Sequence, residues 1–265
     1  MRSVLIHCGL ASVLLRLGLL GLEQTRRRLS LRYLPIRSRG LEIGALHCPL
    51  PLPEGSRALY IDINMPETLK ELRVDAGVVI VTPDILTDGF SLSCIAPQSQ
   101  DFVIANHVLE HTADALGTLK NWLLALKPGG VIFVSVPIAE RCFDRGREIT
   151  PSTHFLEDYQ LGLAGDVMAM RKRNRVHIEE YLNVSAPALS VMQGVPWEPP
   201  EGEEREELIE RLLGSGSGHI HHHVFSRDSF SDLLGLLDDV YSGSVRIEHV
   251  ARSRIETVGI IRKLS

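Results

Sequence analysis

The sequence predicts an α/β protein: a doubly wound, mostly parallel seven-stranded sheet with helices on both faces, a C-terminal antiparallel hairpin and an inserted cap. Three observations predict it. Between residues 40 and 137, five short apolar runs alternate with helical or loop stretches. Each run lacks polar alternation, as expected of strands buried on both faces of a parallel sheet. Strands that alternate with helices form βαβ units, and those stack into such a sheet.

The elements follow in chain order. Ser3 to Leu22 is apolar apart from His7, Arg16 and serines, and Arg26-Arg27-Arg28 follows it. Arg16 interrupts any secretory h-region, and an arginine in mid-span costs roughly 2.5–3.5 kcal/mol on insertion scales. The stretch reads as a helix packed on the core, and its arginine cluster also suits peripheral contact with an anionic membrane surface. Residues 1–39 are therefore taken as a basic helical arm outside the catalytic machinery. Strands are expected at Leu41–Gly44, Ala58–Asp62, Val78–Val81, Asp101–Ala105 and Val131–Val136, and a helix from Leu109 to Leu126, stopped by Pro128-Gly129-Gly130. Residues 138–218 are arginine-rich, then acidic, and end in the glycine-serine joint Gly214–Gly218. They read as an inserted substrate cap, leaving 40–137 and 219–265 as the core. A helix over Ser226–Leu237 and strands at Ser244–His249 and Glu256–Ile261 complete it.

Composition narrows the function. With 265 residues, 44% hydrophobic and 23% charged, the chain is neither disordered, collagen-like nor a disulfide scaffold. Four scattered cysteines without a C-x-x-C pair read as reduced thiols of a cytoplasmic protein. Residues 1–40 hold eight arginines against one glutamate, a local +7, so the remaining chain carries −12 against the total of −5. That acidic remainder argues against a nucleic-acid partner.

Glu42-x-Gly44 ends the first strand and Asp62 ends the second, 20 residues later. Glycine lets backbone approach a nucleotide-type cofactor, and an acid at that spacing accepts hydrogen bonds from ribose hydroxyls. A pyrophosphate cradle needs further glycines, yet Ala45-Leu46-His47-Cys48-Pro49 follows. The pattern thus argues against NAD and FAD.

Three strings together resemble class I S-adenosylmethionine-dependent methyltransferases. They are Leu41-Glu42-Ile43-Gly44-Ala45-Leu46, Asp101 to His111 with its Leu-Glu-His ending, and Leu126-Lys127-Pro128-Gly129-Gly130. The resemblance covers 38–137 closely and 220–265 loosely, and departs at Leu46 and Cys48, where the family usually has glycine. It implies S-adenosylmethionine as cofactor and transfer of its methyl group to oxygen or nitrogen of a small acceptor. By position it implies that Asp62 holds the ribose and Ile63 packs on the adenine. Asp84 would contact the adenine amino group with Ile85 adjacent, Gly44 and Ala45 would line the methionine portion, and Asn106 and His107 would face the sulfonium. Glu42 and Leu46 of the first motif complete the cofactor-binding candidates.

His107, Glu110 and His111 are spaced to share one face of a helix starting there. They admit three readings: a general base, a divalent-metal ligand set that a histidine of the 219–223 run completes, or a structural tie. The general base and the tie are preferred, and no metal is assigned. On a strand, His219, His221 and His223 would share a face and line the substrate mouth. His221 and His223 join His107, Glu110 and His111 as catalytic candidates, with His154 and His177 behind them. Arg141, Arg145, Arg147, Arg171, Arg173 and Arg175 would meet phosphate or carboxylate on a phosphorylated or glycosidic acceptor. The alternatives are a methyltransferase-fold binding or regulatory protein, or a metal-assisted methyltransferase. A homodimer is compatible with any of these.

Overall fold

The computed structural model describes residues 23–65, 79–194, 196–214, 220–241, 243–253 and 255–265. Seven strands form one sheet: β1 (Arg39–Ile43), β2 (Arg57–Asp62), β3 (Ile85–Leu86), β4 (Gln100–Asn106), β5 (Leu126–Pro137), β6 (Val245–Arg252) and β7 (Glu256–Lys263). Their order is β3-β2-β1-β4-β5-β7-β6. Only β7 runs against the rest, pairing antiparallel with β5 and β6. Strand order reverses between β1 and β4, the point where the carboxyl ends of such a sheet open a crevice.

Alternation along the strands assigns the two faces. Leu41, Ile43, Val103, Ala105, Ile132 and Val134 point to one side, against α2 (Ala115–Ala125) and α7 (Arg227–Tyr241). Phe102, Ile104, Phe133 and Ile260 point to the other, against Leu29 and Leu34. Leu29 belongs to α1, a helix over 23–33 that packs directly on the sheet. The described part of the basic arm is therefore built into the core, and residues 1–22 lie outside the described residues. No helix among the described residues is long and apolar enough to cross a membrane.

Two elements differ from expectation. The third strand is Ile85–Leu86, and residues 79–81 do not join the sheet; Val78 lies outside the described residues. The Val81 N–H is spent on the Leu46 carbonyl, and Pro83 has no N–H to donate to a ladder. The expected helix from Leu109 opens instead as a 3₁₀ turn, Leu109–His111, and breaks at Thr112–Asp114. The α-helix starts only after Asp114, whose carboxylate caps it by accepting the Gly117 N–H at 2.8 Å.

Between β5 and α7 the chain forms α3 (Ser152–Ala164), α4 (Val167–Glu180), a π-helical turn (Tyr181–Ser185), α5 (Ala186–Gln193) and α6 (Gly202–Gly214). Ile178, Leu182, Ile209 and Ile220 make a small apolar cluster of their own. Phe155 of α3 packs into the main core, so this segment is anchored to the sheet.

Candidate active site

A cleft opens over the carboxyl ends of β1, β2 and β4. Its floor is backbone. Gly44 turns the chain at φ +64°, and a Cβ there would sit 3.2 Å from Val108 Cγ2. Gly89 is closer still: a Cβ would meet Ile43 Cγ2 at 2.3 Å, so only glycine lets the loop after β3 lie on β1. Trp122 of α2, fully buried, locks that loop by donating its indole N–H to the Gly89 carbonyl at 2.8 Å. Asp62 ends β2 in the wall and accepts the Asn64 N–H at 3.0 Å. Burial raises its pKa above the usual carboxylate range, against backbone hydrogen bonds that lower it. Ile63 beside it is half exposed, an apolar surface at the cleft edge.

Gly44, Leu46, Asp62, Ile63, His107 and His111 all line this cleft. Glu42, Ala45, Asp84, Ile85, Asn106 and Glu110 do not. Asp84 stands at the amino end of β3, the wrong end for a ligand, and its carboxylate accepts the Tyr60 N–H at 2.8 Å. Ile85 packs against the core instead. The acid at the right end is Asp88, which lines the cleft with Phe90 while its carboxylate accepts the Phe90 and Ser91 N–H groups. Its signal was present in Thr87-Asp88-Gly89, a turn string directly after an apolar pair. Glu42 is buried on the α1 face, where it accepts the Leu50 N–H at 2.8 Å and so closes the loop from Gly44 to Leu50. Burial pushes its pKa up to about 7, against the Leu50 hydrogen bond and Arg26, which lower it. It acts on the cleft through that loop. Asn106 is turned to Ser135, whose hydroxyl donates to Asn106 Oδ1 at 3.0 Å.

His107 occupies the left-handed region at φ +57°, a cost that persists where surrounding structure enforces it and that clusters at functional sites. Its Nε2 donates to Glu256 Oε2 at 2.8 Å across 149 residues. Arg26 of α1 grips the same carboxylate, Nε to Oε1 at 3.0 Å and Nη2 to Oε2 at 2.5 Å. Glu256 is fully buried, yet these two partners hold its pKa below the usual carboxylate range despite burial. The arm thus reaches the site, contrary to expectation. His107 Nδ1, the other ring nitrogen, lies 3.9 Å from Glu110 Oε1.

The histidine run is not a strand. Residues 220–225 form a buried loop whose His222 and His223 N–H groups both donate to the Glu110 carbonyl. His219 lies outside the described residues. His221 turns its Nδ1 to Asp144 at 2.5 Å, and Asp144 also accepts from Ser185 and Arg147, which with His221 hold its pKa down at about 2 despite burial. His223 faces the other way. Its Nε2 bonds Asp158 at 3.1 Å, His154 Nε2 bonds the same oxygen at 3.2 Å, and Arg173 takes the other. Complete burial pulls His223 down to about 4, against Asp158, so it is neutral at physiological pH. His177 and His222 are likewise lowered, chiefly by burial. Of the run, then, His221 points towards Glu110 and His111, and His223 points into α3 and away from the cleft.

The arginines of this segment are largely spent. Arg147 is buried on Asp144 and Glu180, Arg171 pairs with Glu210, Arg173 with Glu157 and Asp158, and Arg175 with Glu179 and Glu206. Only Arg141 and Arg145 of the six stand exposed without such a pair among the described residues.

An open α/β sheet with one antiparallel strand near its edge, a glycine turn after β1 and an acid at the end of β2 define a nucleotide-type cofactor-binding enzyme. Residues 62–235 match the family model described as a methyltransferase domain, and the chain belongs to that family. Its cofactor is S-adenosylmethionine. The chain is similar to a SAM-dependent methyltransferase of Aquifex aeolicus, at 11% identity over 87% of this chain and 84% of that one, with a TM-score of 0.40. It is also similar to one of Methanosarcina mazei, at 16% identity over 88% and 95%, with a TM-score of 0.41. No curated protein sequence matches it. The cleft suits the cofactor chemically. A carboxylate for vicinal hydroxyls (Asp62), an exposed apolar side chain for a flat base (Ile63) and a glycine turn (Gly44) all line the cleft.

Proposed function

We propose that the protein methylates an oxygen or nitrogen of a small acceptor, a hydroxyl of a sugar, nucleotide-sugar, polysaccharide end or natural-product intermediate, with His107 as general base. The observation that carries this reading is His107 itself. It lies at the crevice end of β4, in the cleft wall, in a backbone conformation enforced by its surroundings, with Nε2 anchored to Glu256. Donation from Nε2 to Glu256 leaves the Nδ1 lone pair as the ring's proton acceptor, the role a general base needs.

S-adenosylmethionine supplies an electrophilic methyl group on a sulfonium. The chain's residues orient it: Asp62 is placed for the ribose hydroxyls, Ile63 for the adenine face, and the Gly44–Leu46 turn for the methionine portion. In-line displacement needs donor and acceptor held in line, and positioning alone is worth up to about 7–11 kcal/mol. Arg26 and Glu256 are positioning residues, since they fix the ring that faces the acceptor. The internal pairing of Arg147, Arg171, Arg173 and Arg175 leaves little basic surface, which favours a glycosidic over a polyanionic acceptor.

The test is methyl transfer from S-adenosylmethionine to panels of sugars, nucleotide-sugars and hydroxylated small molecules. Formation of S-adenosylhomocysteine should coincide with a methylated acceptor seen by mass spectrometry. Methylation of RNA, of protein or of a carbon centre only, by protein that binds the cofactor, would overturn the reading.

A further inference from the structure

We propose that Glu110, His111 and His221 bind a divalent transition-metal ion beside the cleft, with one coordination position open towards His107. Three independent features converge on it.

The first is a buried carboxyl group without a hydrogen-bond partner. Glu110 is fully buried, and neither carboxylate oxygen has a hydrogen-bond partner. A desolvated carboxylate without partners costs several kcal/mol, so buried acids are paired or coordinate metals.

The second is the direction of the imidazoles. One ligand atom from each of Glu110, His111 and His221 lies within 4.8 Å of the others. His111 engages the Ile220 carbonyl through Nδ1 at 2.9 Å, which leaves Nε2 for the cluster. His221 engages Asp144 through Nδ1, and its Nε2 lies 3.9 Å from Glu110 Oε1. A metal-ligating histidine almost always donates its second nitrogen to a carbonyl or carboxylate in this way, which fixes tautomer and ring angle. Four-coordinate zinc with bonds of about 2.0–2.1 Å places its ligand atoms roughly 3.3–3.4 Å apart. For the His221–Glu110 pair, closing from 3.9 Å to that spacing needs a shift of about half an ångström.

The third is contrast with two neighbouring clusters. Cys142, Asp144 and His221 also approach one another, but Asp144 is already held by Ser185, Arg147 and His221. His154, Asp158 and His223 form another group, whose Asp158 is saturated by Arg173 and both histidines. In the Glu110 cluster alone, among these three, the carboxylate has no hydrogen-bond partner. Two histidines and one carboxylate with an open position is a ligand set for zinc, cobalt, manganese or iron. His107 Nδ1 lies 3.9 Å from Glu110 Oε1, so the proposed general base stands beside this ligand set.

Binding is tested without turnover, so the outcome is separate from the acceptor assignment. Chelator-stripped full-length protein is titrated with zinc(II) by calorimetry and with cobalt(II) by visible absorption, and S-adenosylhomocysteine binding is measured in parallel as a check on folding. The wild type should take up about one ion per chain, with cobalt ligand-field bands showing nitrogen and oxygen ligation. Glu110→Gln and His221→Ala should abolish that binding while S-adenosylhomocysteine still binds. Asp144→Asn, which weakens the support behind His221 together with the Arg147 ion pair, should weaken it about 10–100-fold while S-adenosylhomocysteine still binds. Absence of metal uptake by the wild type overturns the proposal, as does uptake that folded Glu110→Gln and His221→Ala proteins retain in full.

Discussion

The site has two halves that meet at the end of β4, and they are made differently. The cofactor half is built from strand ends and tight turns: Gly44 and Leu46 after β1, Asp62 and Ile63 after β2, Asp88 to Phe90 after β3. It is held by backbone geometry, and its members are close neighbours in the sheet. The histidine half is built from side chains converging from distant segments, His107 onto Glu256 across 149 residues and Asp144 onto His221 across 77. The first half needs little more than the fold. The second needs the 3₁₀ turn, the helical segment after β5 and the hairpin to be in place together, so under the proposed function the chemistry particular to this protein depends on long-range packing.

Separating binding from chemistry is the strongest challenge to that contrast. His107→Asn keeps a residue that tolerates the left-handed conformation but removes the basic ring. kcat should fall about 100- to 10,000-fold, while S-adenosylhomocysteine affinity, read by calorimetry, stays near that of the wild type. An equal loss in both would show that His107 belongs to the cofactor half.

The next effect is on stability and concerns the support beneath the cofactor half. Glu42 has its folded pKa raised to about 7 from an ordinary 4.5, by burial. The folded state therefore holds this proton more tightly, so the contribution is complete below about pH 4.5 and is lost as pH rises through 7. The shift corresponds to about 3 kcal/mol at most. Glu42→Gln keeps an oxygen for the Leu50 N–H and cannot ionise. Urea midpoints at pH 5 and pH 8 should drop between the two for wild type and change less for the variant. Parallel drops would place Glu42 in a wetter setting than its burial indicates.

The same division explains what could be read from the chain alone. Parallel strands announce themselves as apolar runs, so β1, β2, β4, β5 and the hairpin were legible, with Gly44, Asp62 and Ile63 at their ends. The third strand failed because Val78–Val81 is apolar enough for a strand, whereas Val81 hydrogen-bonds to Leu46 and Pro83 shortens the edge. The expected acid is Asp84 for the same reason, whereas the acid that lines the cleft after β3 is Asp88. Spacing places His107, Glu110 and His111 near one another, and the structure does so with Glu110 and His111 on a 3₁₀ turn and His107 ahead of it in a left-handed conformation. Arg26, Asp144 and Glu256 were invisible as site residues, because nothing local distinguishes an arginine in a basic arm or a glutamate at a strand start. Only tertiary packing aims them at the cleft.

The smallest effect sharpens the cofactor half itself. Burial raises the Asp62 pKa above the ordinary carboxylate range. If the ionised carboxylate is what receives the ribose hydroxyls, wild-type affinity for S-adenosylhomocysteine must decline on acidification at a higher pH than an exposed aspartate would allow. Asp62→Asn keeps an oxygen for the Asn64 N–H but only a neutral acceptor for the ligand. Hydrogen bonds to charged groups contribute about 1 kcal/mol more than neutral ones, so affinity at neutral pH should weaken about five- to tenfold. It should also lose the acid-side dependence, which titration calorimetry across the acid range would show. Metal uptake at Glu110 should be unchanged in this variant, since Asp62 touches none of the histidine cluster. A variant that lost both would join the two halves into one cooperative unit and overturn their separation.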